Sequence, residues 1–306
     1  MAPLLVLPGA QKVGEIKIKV CILACCLDKY LIEVIILKKK SEKMKRFLLL
    51  LLSISIITMY FIDCQKNNGT ENGDTLYKPN VSYEVCNDST LRLFWNAITN
   101  AEGYYIYADG NLIYSTTDNT FDLIIPAAMV EVSAFAGSYE GEKTLVDCSP
   151  VVASNITVWG NSDPDTSHPS GFGFAGNGTA IAYAISNPAN EYYIDYYFND
   201  HDYTPINILR WPNINEYNTS ANSGLSNFDN LKIAEAPSGS YSTHSPLIEY
   251  MVYSLWIDPN ANGWDSTYDH FGKMRVKSII GSNAPYTVTI KCAYQLIPGL
   301  RWVVTQ

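Results

Sequence analysis

The stretch Gly103-Tyr-Tyr-Ile-Tyr-Ala-Asp-Gly-Asn-Leu-Ile-Tyr114 holds an aromatic, β-prone run, the pair Asp109-Gly110 and a returning apolar run. An Asp-Gly pair supplies the two positive-φ residues that a tight hairpin turn requires, so this segment predicts two antiparallel strands. Upstream, Val81 to Val85 and Leu91 to Trp95 alternate with period two around an Asn87-Asp88 turn. Downstream, Thr120 to Ile125, Val130 to Phe135 and Lys143 to Val146 read as three more strands. Seven short strands within residues 77–150 match the strand count of an immunoglobulin-like sandwich.

From Val151 onward the pattern continues in a larger unit. Tyr286-Thr-Val-Thr-Ile-Lys-Cys-Ala-Tyr294 places Tyr286, Val288, Ile290, Cys292 and Tyr294 on one face, with Cys292 read as a buried, inert thiol. Tyr192 to Phe198, Met251 to Ile257 and Lys273 to Lys277 are further strand candidates, and no long amphipathic helix competes. The predicted fold class is all-β: one sandwich over 77–150, then a larger antiparallel β-sandwich or jelly-roll-like domain over 151–306.

The chain has 306 residues, is 47% hydrophobic and 17% charged, and carries a net charge of -9, a composition that folds. Residues 1–63 hold ten Lys/Arg against five Asp/Glu, whereas the remainder holds eleven against twenty-five. So acidic a body excludes nucleic-acid binding through a general basic footprint. Lys45-Arg46, the uncharged run Phe47 to Ile62, and then Asp63-Cys64 have the layout of an export signal. The Cys at the end of the apolar run resembles a bacterial lipoprotein signal, which implies acylation of Cys64 and a membrane-anchored, cell-surface or outer-membrane location. Phe61 and Asp63 depart from the usual residues at the cut, leaving an uncleaved signal anchor as the alternative. On this reading residues 1–43 reflect a start assigned too early, 44–63 are the signal peptide and 64–76 a tether.

Leu91-Arg-Leu-Phe-Trp95, Ala101 to Gly110 and Val130-Glu-Val-Ser-Ala134 together resemble a fibronectin type III domain, which implies a spacer or adhesion module. Ala127 to Met129 stand where that family usually has a Tyr, so the corner there needs another support. Gly171 to Gly176, Asp229 to Pro237, Tyr268 to Ile279 and Ala293-Tyr-Gln295 resemble a family of surface lipoproteins whose best-known members are haemophores. That resemblance implies a β-rich ligand-binding lipoprotein and carries no haem ligand across.

Cys86 closes the first predicted strand and Cys148 the last, at one pole of the sandwich, so a disulfide is expected there, with two free thiols as the alternative. Asp258, Asn260, Asn262, Asp265 and Asp269, with Gly263 among them, space oxygen donors as a calcium loop does, and equally suit an ordinary hairpin loop. His168, His201, His244 and His270 are dispersed, giving haem ligation by two of them, or by one with Met251 or Met274, little support. Tyr193 and Tyr197 flank Asp195, with Trp211, Trp256 and Trp264 near strand ends, a set that suits sugar rings or plain cross-strand packing. Lys273, Arg275, Lys277 and Lys291 read as a solvated cationic face. The functional expectation is an exported, lipid-anchored surface protein with a non-catalytic binding or adhesion role. The alternatives are a haem- or carbohydrate-binding receptor and a polysaccharide-acting enzyme. The expected partners are the membrane and a surface glycan, haem or protein.

Overall fold

The computed structural model describes residues 76–212 and 216–305, so the export signal, Cys64 and the tether up to residue 75 lie outside the described residues. Everything described belongs to one compact unit, Asn72–Gln306. It is all-β, built from antiparallel sheets.

In the first sandwich, β1 (Val81–Cys86), β2 (Thr90–Trp95) and β5 (Thr120–Leu123) form one sheet in the order β1-β2-β5. The facing sheet holds β3 (Gly103–Ala108), β4 (Asn111–Thr116), β6 (Met129–Ala136), β7 (Tyr139–Glu140) and β8 (Thr144–Asp147). Alternation places Leu91, Leu93, Ile106, Val130 and Val132 wholly inside, which is why the period-two runs become strands here. The β3–β4 turn has φ of +49° at Asp109 and +78° at Gly110, as the Asp-Gly pair predicts. Asp109 also holds the corner before β6, since its Oδ1 accepts from the backbone N–H of Ala128 and of Met129, each at 2.9 Å.

The second sandwich faces two five-stranded sheets across one core. One has the order β11-β10-β12-β13-β15, from β10 (Gly171–Phe174), β11 (Ala180–Tyr183), β12 (Tyr196–Asn199), β13 (Asn207–Arg210) and β15 (His244–Pro246). The other has the order β14-β16-β17-β18-β9, from β9 (Val151–Trp159), β14 (Thr219–Asn222), β16 (Val252–Ile257), β17 (His270–Ile280) and β18 (Thr287–Tyr294). Val288, Ile290 and Cys292 point fully inward, as expected for β18.

The strand expected from Tyr192 starts only at Tyr196, because Pro188–Tyr193 is a 3-10 helix. Its start is set locally: the Asn187 side chain accepts from the Ala189 N–H, and Pro188 fixes the first φ. The end of this helix lies directly on β10. A Cβ on Gly173 would sit 1.9 Å from the Tyr193 carbonyl oxygen, so only glycine admits this approach.

The boundary at residue 150 separates the sheets but not the cores. Ile297, Leu300 and Trp302, from the end of the chain, are buried in the hydrophobic core of the first sandwich. Gln295, fully buried, donates from Nε2 to the carbonyls of Cys148 and Trp302 at 2.9 and 2.7 Å. Residues 295–302 thus fasten the second sandwich to the first.

Candidate functional site

Asp195 follows the 3-10 helix and is pinned to β10 and the end of β13. Its N–H donates to the Phe172 carbonyl, its carbonyl accepts from the Trp211 N–H, and its Oδ2 accepts from the Phe174 N–H at 2.7 Å. Its Oδ1 lies 3.2 Å from Nδ2 of Asn218, and that nitrogen also donates to Oε2 of Glu216 at 3.2 Å. One amide therefore joins two carboxylates. Asn218 is itself buried, and its Oδ1 accepts from the Asp258 N–H at 3.1 Å, which fixes the amide with its NH2 toward the acids. Asp195 and Glu216 stay partly exposed. Burial pushes both carboxyls up, Asp195 to about 7, with the neighbouring Glu216 charge adding to the rise on Asp195.

Aromatic residues neighbour this pair: Tyr193 and Tyr197 are each two residues from Asp195, Tyr217 follows Glu216, and the Trp211 N–H bonds the Asp195 carbonyl. Tyr193, 60% exposed, stacks on Tyr183 of β11, and Tyr197 of β12 meets Trp211 edge to face at 5.6 Å between centroids. Tyr217 is exposed and carries the Arg210 guanidinium over its ring, while Arg210 Nη1 donates to the Glu216 carbonyl. Tyr183 is held above its ordinary range, chiefly by burial and further by the Asp195 charge. Hydrogen-bonding acids and an amide beside exposed ring faces suit a polyhydroxylated, uncharged ligand.

Asp195, Tyr193, Tyr197 and Trp211 were legible as a set from sequence, although Tyr193 and Tyr197 do not share a strand. Glu216 and Asn218 were not, since they lie between strands and only the fold brings them to Asp195. Of the remaining tryptophans, Trp256 uses its indole N–H on Asp269, and Trp264 tilts against Phe271.

The calcium-loop residues do not converge. Asp258 is buried with both oxygens turned to backbone, Oδ1 to the Asn260 N–H and Oδ2 to the Gly263 N–H, while Asn260 and Asn262 are exposed. Asp265 accepts from the Thr267 N–H, and Asp269, fully buried, accepts from Trp256 and from the Asp265 N–H. Among the described residues no group of three or more His, Cys, Asp or Glu is placed to hold a metal. The donors cap turns here because Asp and Asn side chains satisfy local N–H groups readily.

Cys86 and Cys148 are free thiols, which corrects the expected disulfide. They belong to different sheets: Cys86 closes β1 and lies against Glu84, whereas Cys148 follows β8 and is buried in the core. Cys292 is likewise free and buried.

The cationic face is also corrected. Lys273 is fully buried and donates to the carbonyls of Phe228 and Leu231 and to Thr305 Oγ1, at 2.8, 2.9 and 2.9 Å. Residues 228–231 and the chain end cover that part of the sheet, so the ammonium ties them down instead of meeting solvent. Arg275, Lys277 and Lys291 remain partly exposed.

Each histidine is engaged locally. His168 stacks on Trp159 beside Asp163, His244 on Tyr203 and His270 on Tyr294, and His201 contacts Asp202. Met274 is fully buried in the core of the second sandwich. Concave surfaces among the described residues include a cavity of about 280 Å³ near Arg301 and Ser254 and an open groove of about 580 Å³ on the first sandwich beside Arg92 and Tyr114. The groove also sets charged groups, Arg92, Asp118 and Asp122, beside the exposed ring of Tyr114. Compared with known proteins, the chain matches no family model and no curated protein.

Proposed function

We propose that this is an exported surface protein, anchored by a lipid on Cys64, whose second sandwich binds a neutral glycan at the Asp195–Asn218–Glu216 site. The carrying observation is the amide of Asn218 joining two carboxylates among exposed tyrosines and Trp211. Ring faces pack on the C–H faces of a sugar, while carboxylates and amide exchange hydrogen bonds with its hydroxyls. The excess of Asp and Glu after residue 63 disfavours acidic glycans. In this reading the first sandwich, with its fibronectin-like residues, holds the binding unit away from the membrane.

The test is a glycan array probed with the full-length chain in detergent. Binding to neutral glycans that is lost in Tyr193→Ala and Trp211→Ala supports the reading, and binding only to sulfated or sialylated glycans contradicts it. Labelled palmitate should enter the wild type and not Cys64→Ala, because stable anchoring needs the acyl chains that the thiol carries. Equal labelling of the two contradicts the anchor.

A further inference from the structure

We infer that the cavity beneath residues 231–236 binds a short-chain organic acid, its carboxylate on Arg301 and its hydrocarbon body against the sheet. The cavity shares no residue with the Asp195 surface, so this inference does not depend on the glycan reading.

The hollow comes from small side chains under a fixed cover. Ala221 of β14 and Ser254 of β16 are register partners on one face of their sheet, and both are buried. Side chains this short do not reach the segment laid over them, which leaves a space of about 280 Å³. The cover is tied to the chain end: the Ala234 N–H donates to the Arg301 carbonyl at 2.8 Å, and the Val303 N–H to the Lys232 carbonyl at 2.9 Å. It is also tied to the sheet. The Glu235 N–H donates to Ser254 Oγ at 2.8 Å, and the Tyr241 hydroxyl meets the same oxygen at 2.7 Å. The walls therefore stand before a ligand arrives, which spares part of the ordering cost of binding.

Arg301 supplies the charge. It is the one cation of the lining, and its side chain is only 15% exposed. Nε donates to Asp88 and Nη1 to the carbonyl of Ala234, itself a wall residue, so the guanidinium is fixed at the cavity. Nη2 has no hydrogen-bond partner among the described residues and is left to donate to a ligand. A guanidinium so withdrawn from water makes a strong charge-assisted bond to a carboxylate. Glu235, the one acid of the lining, lays its carboxylate over Gly239, where a Cβ would lie 2.4 Å from Oε1.

Size and polarity select the rest of the ligand. Pockets for drug-sized molecules begin at about 300 Å³, so a body of a few carbons fits here. Ala221, Leu231, Ile233 and Ala236 keep the wall apolar, as a hydrocarbon tail requires. Asp88 already offsets part of the Arg301 charge, so a single negative charge is matched, and the further charge of a phosphate would be buried without a partner.

The test titrates sodium butyrate into the full-length chain in detergent and carboxylate-free buffer. Butyramide, inorganic phosphate and acetylated trialanine with a free C-terminus are titrated in parallel. Saturable binding of butyrate is expected, with butyramide and phosphate weaker by about tenfold or more. Ala221→Val places a branched side chain that strands accept in the cavity and leaves the Arg301–Asp88 lock intact. It should weaken butyrate by about tenfold or more without lowering the melting temperature. Arg301→Gln, which also breaks the Asp88 pair, should lose butyrate binding outright. The proposal is overturned by a wild type that does not bind butyrate saturably, by butyramide binding as tightly as butyrate, or by undiminished affinity in folded Ala221→Val. Preference for the trialanine peptide over butyrate would assign the cavity to a chain end and likewise overturn the free acid.

Discussion

Arg301, five residues from the chain end, donates from Nε to Asp88 Oδ1 at 2.6 Å, and its backbone N–H donates to the Asp88 carbonyl at 2.9 Å. Asp88 sits in the β1–β2 turn of the first sandwich, at φ +60°. A side-chain ion pair and a backbone bond thus lock the end of the second sandwich to the first turn of the first. Arg301 also donates to the Ala234 carbonyl, and Trp302 reaches the Ser89 carbonyl through its indole N–H at 3.0 Å.

The two sandwiches should therefore unfold together. Trp302→Ala removes a fully buried ring from the first core and should cost about 3–5 kcal/mol. Calorimetry should show a single transition in the wild type. In Trp302→Ala that transition should move down or split, and an unchanged melting temperature would contradict the shared core.

Thiol chemistry should separate the cysteines of the folded part. All three should titrate as free thiols in unfolded, unreduced protein, and only Cys86 should react before unfolding, because Cys148 and Cys292 are buried. Peptide mapping after alkylation distinguishes this from a bridged pair, in which Cys292 alone would be labelled.

Asp195 should make stability fall with rising pH. Its folded pKa, about 7, stands above the unfolded carboxyl range, so its contribution is complete below about pH 4 and disappears as pH climbs through 7. Asp269, raised to about 6 chiefly by burial, works in the same sense. His270, which burial holds below its ordinary range, works in the opposite sense, and Lys273, lowered to about 7, adds stability only above that pH. The Asp195 part is isolated by melting wild type and Asp195→Asn in parallel from pH 4 to 7. The variant should gain relative to the wild type as pH rises, and parallel curves would contradict the assignment.

The Asp258 loop should behave as a turn. Removing the carboxylate in Asp258→Ala deprives two backbone N–H groups of their acceptor and should cost about 1–3 kcal/mol. Chelator or excess calcium should leave the wild-type melting temperature unchanged, and a rise with calcium would contradict this geometry.

The strands were legible wherever one face is buried and the period is two, as in Leu91 to Trp95 and Tyr286 to Tyr294. Where polar side chains act on backbone, sequence misled. Asn187 and Pro188 converted the start of an expected strand into a 3-10 helix, whereas Asp258 follows the hairpin-loop reading and caps its own turn. Lys273 read as solvated because its strand alternates, yet residues far along the chain cover it. Half of the candidate site was visible as Asp195 among tyrosines. Glu216 and Asn218 joined it only through sheet packing, which no local pattern encodes.

The account's central claim is that a glycan binds on the second sandwich around Asp195, Asn218 and Glu216. Isothermal titration of the strongest neutral glycan from the array into the full-length chain tests it most directly, alongside Tyr193→Ala, Trp211→Ala and, on the first sandwich, Tyr114→Ala. Saturable binding weakened at least tenfold, about 1.4 kcal/mol, by the first two variants and unchanged by the third is the predicted result. Affinity that falls only with Tyr114→Ala, or no saturable binding by the wild type, would contradict it.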